Sequence, residues 1–208
     1  MQAPPPDARQ LRGSAPGRRF AVAIAVAFMV TLAGCASIPS EPVPADTSGR
    51  DLPHAFELQA RISATDGTQA VSGRLEWMHT AHGDTWTMRS PLGQVLGELT
   101  SDRHGALLRT ADGALLTAPS ADAILPELLG MEAPVDALPH WVHAVPRPGA
   151  RVLDRDPEGR PSRISDAGWI IDYAQYPTAD AHAPPRRIDI HRGDNRLRLI
   201  VDQWDLLQ

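Results

Sequence analysis

The stretch Phe56-Glu57-Leu58-Gln59-Ala60-Arg61-Ile62-Ser63 decides the fold. Apolar side chains at 56, 58, 60 and 62 alternate with polar ones at 57, 59, 61 and 63. A period of two turns one set toward an apolar interior and the other toward water, as in a half-buried strand. The alternation resumes at Gly73, Leu75 and Trp77 against Arg74, Glu76 and Met78, and again at Trp86 and Met88 against Thr85, Thr87 and Arg89. The turn-forming His79-Thr80-Ala81-His82-Gly83-Asp84 separates these two runs, so an antiparallel meander is predicted.

Further strands are predicted C-terminal to this meander, at Gln94 to Thr100, Ala106 to Thr110 and Ala114 to Ala118, punctuated by Asp102-Arg103-His104-Gly105 and by the tight-turn pair Asp112-Gly113. The pattern then breaks. Ser120 is placed to cap a short helix carrying Ile124, Leu125, Leu128 and Leu129, with Pro126 near its first turn and Gly130 at its end. Asp136 is placed to cap a second, with Pro139 in its first turn and an apolar stripe of Leu138, Trp141 and Val142. After Pro146-Arg147-Pro148-Gly149 strands are predicted again at Arg151 to Arg155, Pro161 to Asp166, Gly168 to Tyr176, Arg187 to His191 and Asn195 to Asp205. About eleven strands with one helical insertion predict a mainly β domain over residues 55–208, a single curved antiparallel sheet with short helices against its concave side.

The amino-terminal region is organised differently. Arg9, Arg12, Arg18 and Arg19 precede an apolar run from Phe20 to Ala33 interrupted only by Thr31, and Leu32-Ala33-Gly34-Cys35 looks like a bacterial lipobox. The run is shorter than the ~20 residues that cross a bilayer, so residues 1–34 read as a lipoprotein signal peptide and Cys35 as the lipidated first residue of the mature chain. Residues 36–54, rich in Pro, Ser and acidic side chains, make residues 35–54 a lipidated tether reaching at most about 60 Å.

The whole chain carries a net charge of −5, and loss of residues 1–34 leaves 16 Arg against 24 Asp and Glu, or −8. That balance argues against nucleic acid as a partner and against attraction of the whole chain to anionic headgroups. Cys35 is the only cysteine, so no disulfide is available and packing must supply the stability.

Enzymatic chemistry finds few candidates. His140 and His143 share a helix turn, but two ligands do not make a metal site, and His79 and His82 read as solvated turn residues. No Gly-x-Ser-x-Gly, Ser-x-x-Lys or glycine-rich phosphate loop is present, and Asp154, Asp156 and Glu158 read as a solvated hairpin tip. The remaining candidate is apolar surface. A concave face lined by Phe56, Leu58, Ile62, Leu75, Trp77, Trp86, Met88, Leu99, Leu107, Ile171 and Leu199, with Trp141 from the second helix, is either an ordinary core or an acyl-binding cavity. Periodicity does not separate the two.

Ser90-Pro91-Leu92-Gly93 followed by Gln94 resembles a segment of the LolB family of outer-membrane lipoprotein receptors. Leu128-Leu129-Gly130, Pro134, Leu138, Trp141-Val142 and Pro146 look like that family's helical segment. Gly168-Trp169 with Tyr173 and Tyr176, and the run from Arg196 to Asp202 followed by Trp204, look like its later strands. The resemblance covers roughly residues 55–205, in order. Ala144 stands where the family usually has Gly, and Ala133-Pro134 replaces a common Leu-Pro.

The resemblance implies an eleven-stranded unclosed barrel capped by helices, an acyl-binding cavity, no enzymatic activity and no cofactor. It implies that the protein, expected to be monomeric, accepts lipoproteins from the periplasmic carrier LolA and inserts them into the inner leaflet of the outer membrane. It also implies that Pro91, Leu92 and Gly93 form a protruding loop whose apolar tip meets that membrane, where the alternative is a leucine folded back onto the core. Ala36 after the lipidated cysteine, rather than Asp, implies outer-membrane delivery of the protein itself. A structural or adaptor lipoprotein with a packed core is the competing expectation.

Overall fold

Val43–Pro44 and residues 50–207 are described in a computed structural model. Residues 1–34, read as a signal peptide, the expected lipidation site Cys35, and residues 36–42 and 45–49 of the segment read as tether lie outside the described residues. The strands are β1 (Val43–Pro44), β2 (Phe56–Thr65), β3 (Ala70–Thr80), β4 (Gly83–Arg89), β5 (Val95–Asp102), β6 (Gly105–Thr110), β7 (Leu115–Ala118), β8 (Arg151–Arg155), β9 (Pro161–Asp166), β10 (Trp169–Gln175), β11 (Arg187–Arg192) and β12 (Asn195–Leu206). Between β7 and β8 lie α1 (Leu125–Leu129), a 3-10 turn at Val135–Ala137 and α2 (Leu138–Val142).

All twelve strands form one antiparallel sheet in the order β1-β8-β9-β10-β11-β12-β2-β3-β4-β5-β6-β7. Its two ends, β1 and β7, are not neighbours, so the barrel is unclosed. Eleven strands match those predicted. The extra one falls inside the segment read as tether: Val43 lies opposite Val152 and Pro44 opposite Arg151. A proline is tolerated there because β1 is an edge strand.

The fold-deciding stretch is central. β2 pairs with β3 from Phe56↔His79 to Thr65↔Ala70 and with β12 on its other side. Its burial alternates strictly from Phe56 to Ala64, the apolar set facing the concave side. Gly73 marks a close approach, since a Cβ there would lie 2.1 Å from the Arg89 carbonyl oxygen.

The helices begin differently from the sequence expectation. Neither has a side-chain cap. Ser120 lies before a turn in which the Ile124 and Leu125 N–H groups both donate to the Ala121 carbonyl, and that turn starts α1 in its place. Asp136 sits within the 3-10 turn and pairs with Arg147 at 3.0 Å. The prolines do fall in the first turns, where their missing N–H leaves no bond unmade. Gly130, at φ 68°, ends α1. After α2 the left-handed position is taken by buried Ala144, at φ 54°, the residue that departs from the resembled pattern. A Cβ makes that conformation less favourable by roughly 1 kcal/mol.

Candidate functional site

The concave face is built by alternation. Each strand sends every second residue inward, and α1 and α2 roof the result with Leu125, Leu128, Leu129, Leu138, Trp141 and Val142. Gly97 in β5 lets α1 settle, because a Cβ at 97 would stand 2.7 Å from Leu128 Cδ1. Phe56, Leu58, Ile62, Leu75, Trp77, Trp86, Met88, Leu99, Trp141, Ile171 and Leu199 are all brought together, none more than 3% exposed. Three aromatic residues run across β2, β3 and β4: Phe56 meets Trp77 edge-on at 5.0 Å, and Trp77 lies 4.8 Å from Trp86. Trp141 reaches down from the roof, its ring 5.8 Å from Trp169 and its indole N–H donating to Asp166 at 2.8 Å.

Leu107 is corrected. It faces outward and is 38% exposed, while Leu108 points inward, opposite Leu99. The sequence reading also missed Trp169, Tyr173, Ile188 and Ile190, which complete the face on β10 and β11. Their alternation was the available signal.

Polar groups at the margins of this face differ from expectation as well. His79 is not a solvated turn residue: it stacks on Phe56 at 5.1 Å and lies 2.8 Å from the Asp84 carboxylate, which also accepts the Trp77 indole N–H at 2.7 Å. Asp156 and Glu158 are not free in solvent either, since both pair with the buried guanidinium of Arg160. His143, just past α2, is wedged between Phe56 at 4.7 Å and Trp204 at 4.5 Å. Burial first, then the positive charge of Arg50 and the neighbouring His79 and His140, push its pKa down to about 3, so the ring is neutral. Arg50 donates to the carbonyls of Ala181, Ala183 and His143, which fixes the chain just before β2.

Three buried polar atoms of the interior, Trp86 Nε1, Tyr173 Oη and His143 Nε2, have no hydrogen-bond partner among the described residues. Such groups are expensive to bury and rare, and two of them, the Trp86 indole N–H and the Tyr173 hydroxyl, are donors.

The hairpin joining β4 to β5 has the opposite character. The Gly93 N–H donates to the Ser90 carbonyl at 2.9 Å and the Ser90 N–H to the Gln94 carbonyl at 2.7 Å. Pro91 takes the first central position, and Gly93 at φ 88° supplies the left-handed residue that lets the strands rejoin. Leu92 occupies the second central position and is 91% exposed. It does not fold back onto the core. A branched apolar side chain is therefore held in water by one of the tightest turns of the sheet.

Residues 54–204 match the protein family described as "Outer membrane lipoprotein LolB". The chain is 44% identical over 195 residues to an outer-membrane lipoprotein LolB of Azoarcus sp. (strain BH72), spanning 93% of this chain and 99% of that protein. A second LolB, of Thiobacillus denitrificans, is 34% identical over 190 residues, spanning 90% and 97%. A solved structure, the LolA superfamily protein of Nitrosomonas europaea, aligns at 8% identity with a TM-score of 0.46, covering 76% of this chain and 89% of that one.

Proposed function

The chain belongs to the LolB family of outer-membrane lipoproteins, and from that premise we propose that it accepts lipoproteins from the periplasmic carrier LolA and inserts them into the inner leaflet of the outer membrane. In this reading Cys35 carries the protein's own lipid anchor, and the concave face beneath α1 and α2 receives the acyl chains of the cargo. No covalent chemistry is needed, and the protein is a receptor and not an enzyme.

The observation that carries the proposal is the roof. Two five-residue helices without side-chain caps have almost no helical stability of their own. They stay in place because their apolar residues are buried against the sheet. An incoming acyl chain offers the sheet the same apolar contact, worth about 0.8 kcal/mol per methylene, so it can displace the roof without leaving the face wet. The unpartnered indole N–H of Trp86 and hydroxyl of Tyr173 would then find acceptors in the ester carbonyls of a diacylglyceryl group.

The packed interior is also what an adaptor lipoprotein without a cavity would have, and uptake of cargo separates the two. The test is handover of a fluorescently labelled lipoprotein from the loaded carrier. Wild type is expected to accept it, and Trp77→Ala, which removes the middle ring of the aromatic row, to accept it with affinity lowered about thirtyfold, by about 2 kcal/mol. A folded Trp77→Ala protein with unchanged affinity, or a wild type that takes up no cargo, would overturn the proposal.

A further inference from the structure

The outward face of the sheet beside the Leu92 hairpin carries a feature that neither packing nor cargo binding uses. Arg61 of β2 lies directly opposite Arg74 of β3, and Arg74 directly opposite Arg89 of β4. All three alternate with inward residues and point away from the core. At ~4.8 Å between strands the row spans about 10 Å. Like charges placed opposite one another in a sheet are unfavourable, so the row lowers the stability of the fold unless something neutralises it. Arg61 is paired with Asp202 at 3.1 Å and Arg89 with Glu76 at 3.3 Å, both pairs being substantially exposed. Arg74, between them, is exposed and has no carboxylate partner among the described residues. The row ends at the hairpin itself: Arg89 is opposite Val95, and these two residues form the base of the loop whose tip is Leu92.

We propose that the Arg61, Arg74 and Arg89 row is a docking face for the phosphates of anionic phospholipid headgroups at the membrane surface. The inference rests on the reading of Leu92 as the membrane-contacting tip. Guanidinium groups match phosphate oxygens in charge and in paired hydrogen-bond geometry. Their place at the base of the hairpin fits a membrane whose apolar region receives Leu92 while its headgroup layer meets the arginines one step behind. The net charge of the chain without residues 1–34 is −8, so this local row determines which side turns to an anionic surface. It thereby orients the domain on its tether and brings the hairpin, not the opposite end of the sheet, to the bilayer.

The experiment uses the full lipidated chain in vesicles. Ser72 is exposed on the outward face of β3, two residues before Arg74, and Cys35 is the only native cysteine, so Ser72→Cys gives one thiol for a bimane label once Cys35 is acylated. Quenching of the label by headgroup-nitroxide lipid reports contact of this face with the bilayer. Raising phosphatidylglycerol from none to about 30 mol% is expected to increase quenching several-fold, each arginine contributing roughly fivefold to the contact equilibrium. Most of that gain is expected to vanish between about 0.05 and about 0.5 M salt. Arg74→Gln with Arg89→Gln should lower the contact equilibrium about 25-fold and so remove most of the gain in quenching, and the corresponding lysine pair should retain most of it.

Leu92→Glu distinguishes the two readings. It is expected to keep the phosphatidylglycerol dependence while losing cargo insertion, so normal insertion by that variant would defeat the hairpin reading alone. Quenching indifferent to phosphatidylglycerol in the wild type, or unchanged in the glutamine pair, overturns the proposal. So does a glutamine pair that slows receipt from the carrier with quenching unaltered, which would make the row a protein-docking surface.

Discussion

Replacing Leu92 separates the stability of the domain from its delivery step, because this side chain is almost unused by the fold. At 91% exposure it touches little, and the turn is held by backbone bonds of Ser90, Gly93 and Gln94 that a substitution at 92 leaves alone. Exposed substitutions of this kind change folding stability by about 0.5 kcal/mol or less. Entry of the leucine into hydrocarbon is worth far more. Leu92→Ala removes three carbons at about 0.8 kcal/mol each, roughly 2 kcal/mol of membrane affinity, or about a thirtyfold loss in the population inserted. Leu92→Glu adds the desolvation of a carboxylate and should nearly abolish insertion.

The assay follows transfer of a labelled lipoprotein from the receptor to vesicles, with urea unfolding and cargo affinity measured on the same variants. Unfolding midpoints and cargo affinity should stay at wild-type values while release slows in the order wild type, alanine, glutamate. A glutamate variant that releases cargo at the wild-type rate refutes the reasoning, and so does one that loses stability by more than about 1 kcal/mol, because the side chain would then belong to the core.

Other substitutions test the interior. His143 binds a proton in the unfolded chain near its ordinary pKa of 6.5 but in the native state only near about 3, so stability is full above about pH 6.5 and falls as pH drops toward 3. Urea unfolding should show a loss of about 2 kcal/mol between pH 6.5 and pH 5 that His143→Leu largely removes, and equal pH slopes for the two proteins would contradict this. Tyr173→Phe deletes a buried hydroxyl without a protein partner, so thermal stability should hold or rise by about 1 kcal/mol while affinity for diacylated cargo falls; a lower melting temperature would show that the hydroxyl is already satisfied in the native fold. Gly97→Ala drives a methyl into Leu128 and should loosen α1, costing about 1–3 kcal/mol and raising uptake of an apolar dye, whereas unaltered uptake would mean that α1 is not the movable part.

The strands were legible because their alternation is nearly uninterrupted, and β2 shows why. Five inward apolar residues from Phe56 to Ala64 leave only one register that buries them. β6 shows the limit. Ala106, Leu107 and Leu108 are three apolar residues in succession, and only pairing with β5, where Leu108 meets Leu99, decides which leucine goes inward. The helix starts failed for a related reason: Ser120 and Asp136 have the chemistry of caps, but the roof is positioned by burial of Leu125, Leu129 and Trp141, which overrides the local preference.

Long-range pairings were invisible by construction. Nothing near His79 announces Phe56, and nothing near Arg160 announces the carbonyls of Thr178 and Asp180 that hold it buried. The tether behaved similarly. Its composition marks it as unable to make a core, and that is compatible with β1 borrowing two backbone pairings from the edge of β8. Leu92 could be singled out from sequence because Pro91 and Gly93 fix a turn around it, but its near-complete exposure is a three-dimensional fact.

On the proposed function the two apolar features of the molecule are tied together by the requirement that transfer proceed without an energy source of its own. The face beneath the roof is buried with the helices in place, and on the proposed handover it stays buried when acyl chains replace them, so loading would exchange one apolar contact for another. On that reading the roof residues, Leu125, Leu128, Leu129, Leu138, Trp141 and Val142, all buried in the present fold, would be the component left exposed in the loaded state. Their return to the sheet therefore favours release, at about 25 cal/mol for each Å² they re-bury. Release into water would still be opposed by the acyl chains themselves. It becomes downhill only where hydrocarbon is within reach, and the hairpin that carries Leu92 leaves the sheet from β4 and β5, the latter being the strand on which α1 rests at Gly97. The geometry thus places the roof helix α1 on the strand that leads into the hairpin proposed to meet the membrane. On the proposed function direction would follow from location, with the bilayer completing an exchange that the carrier begins.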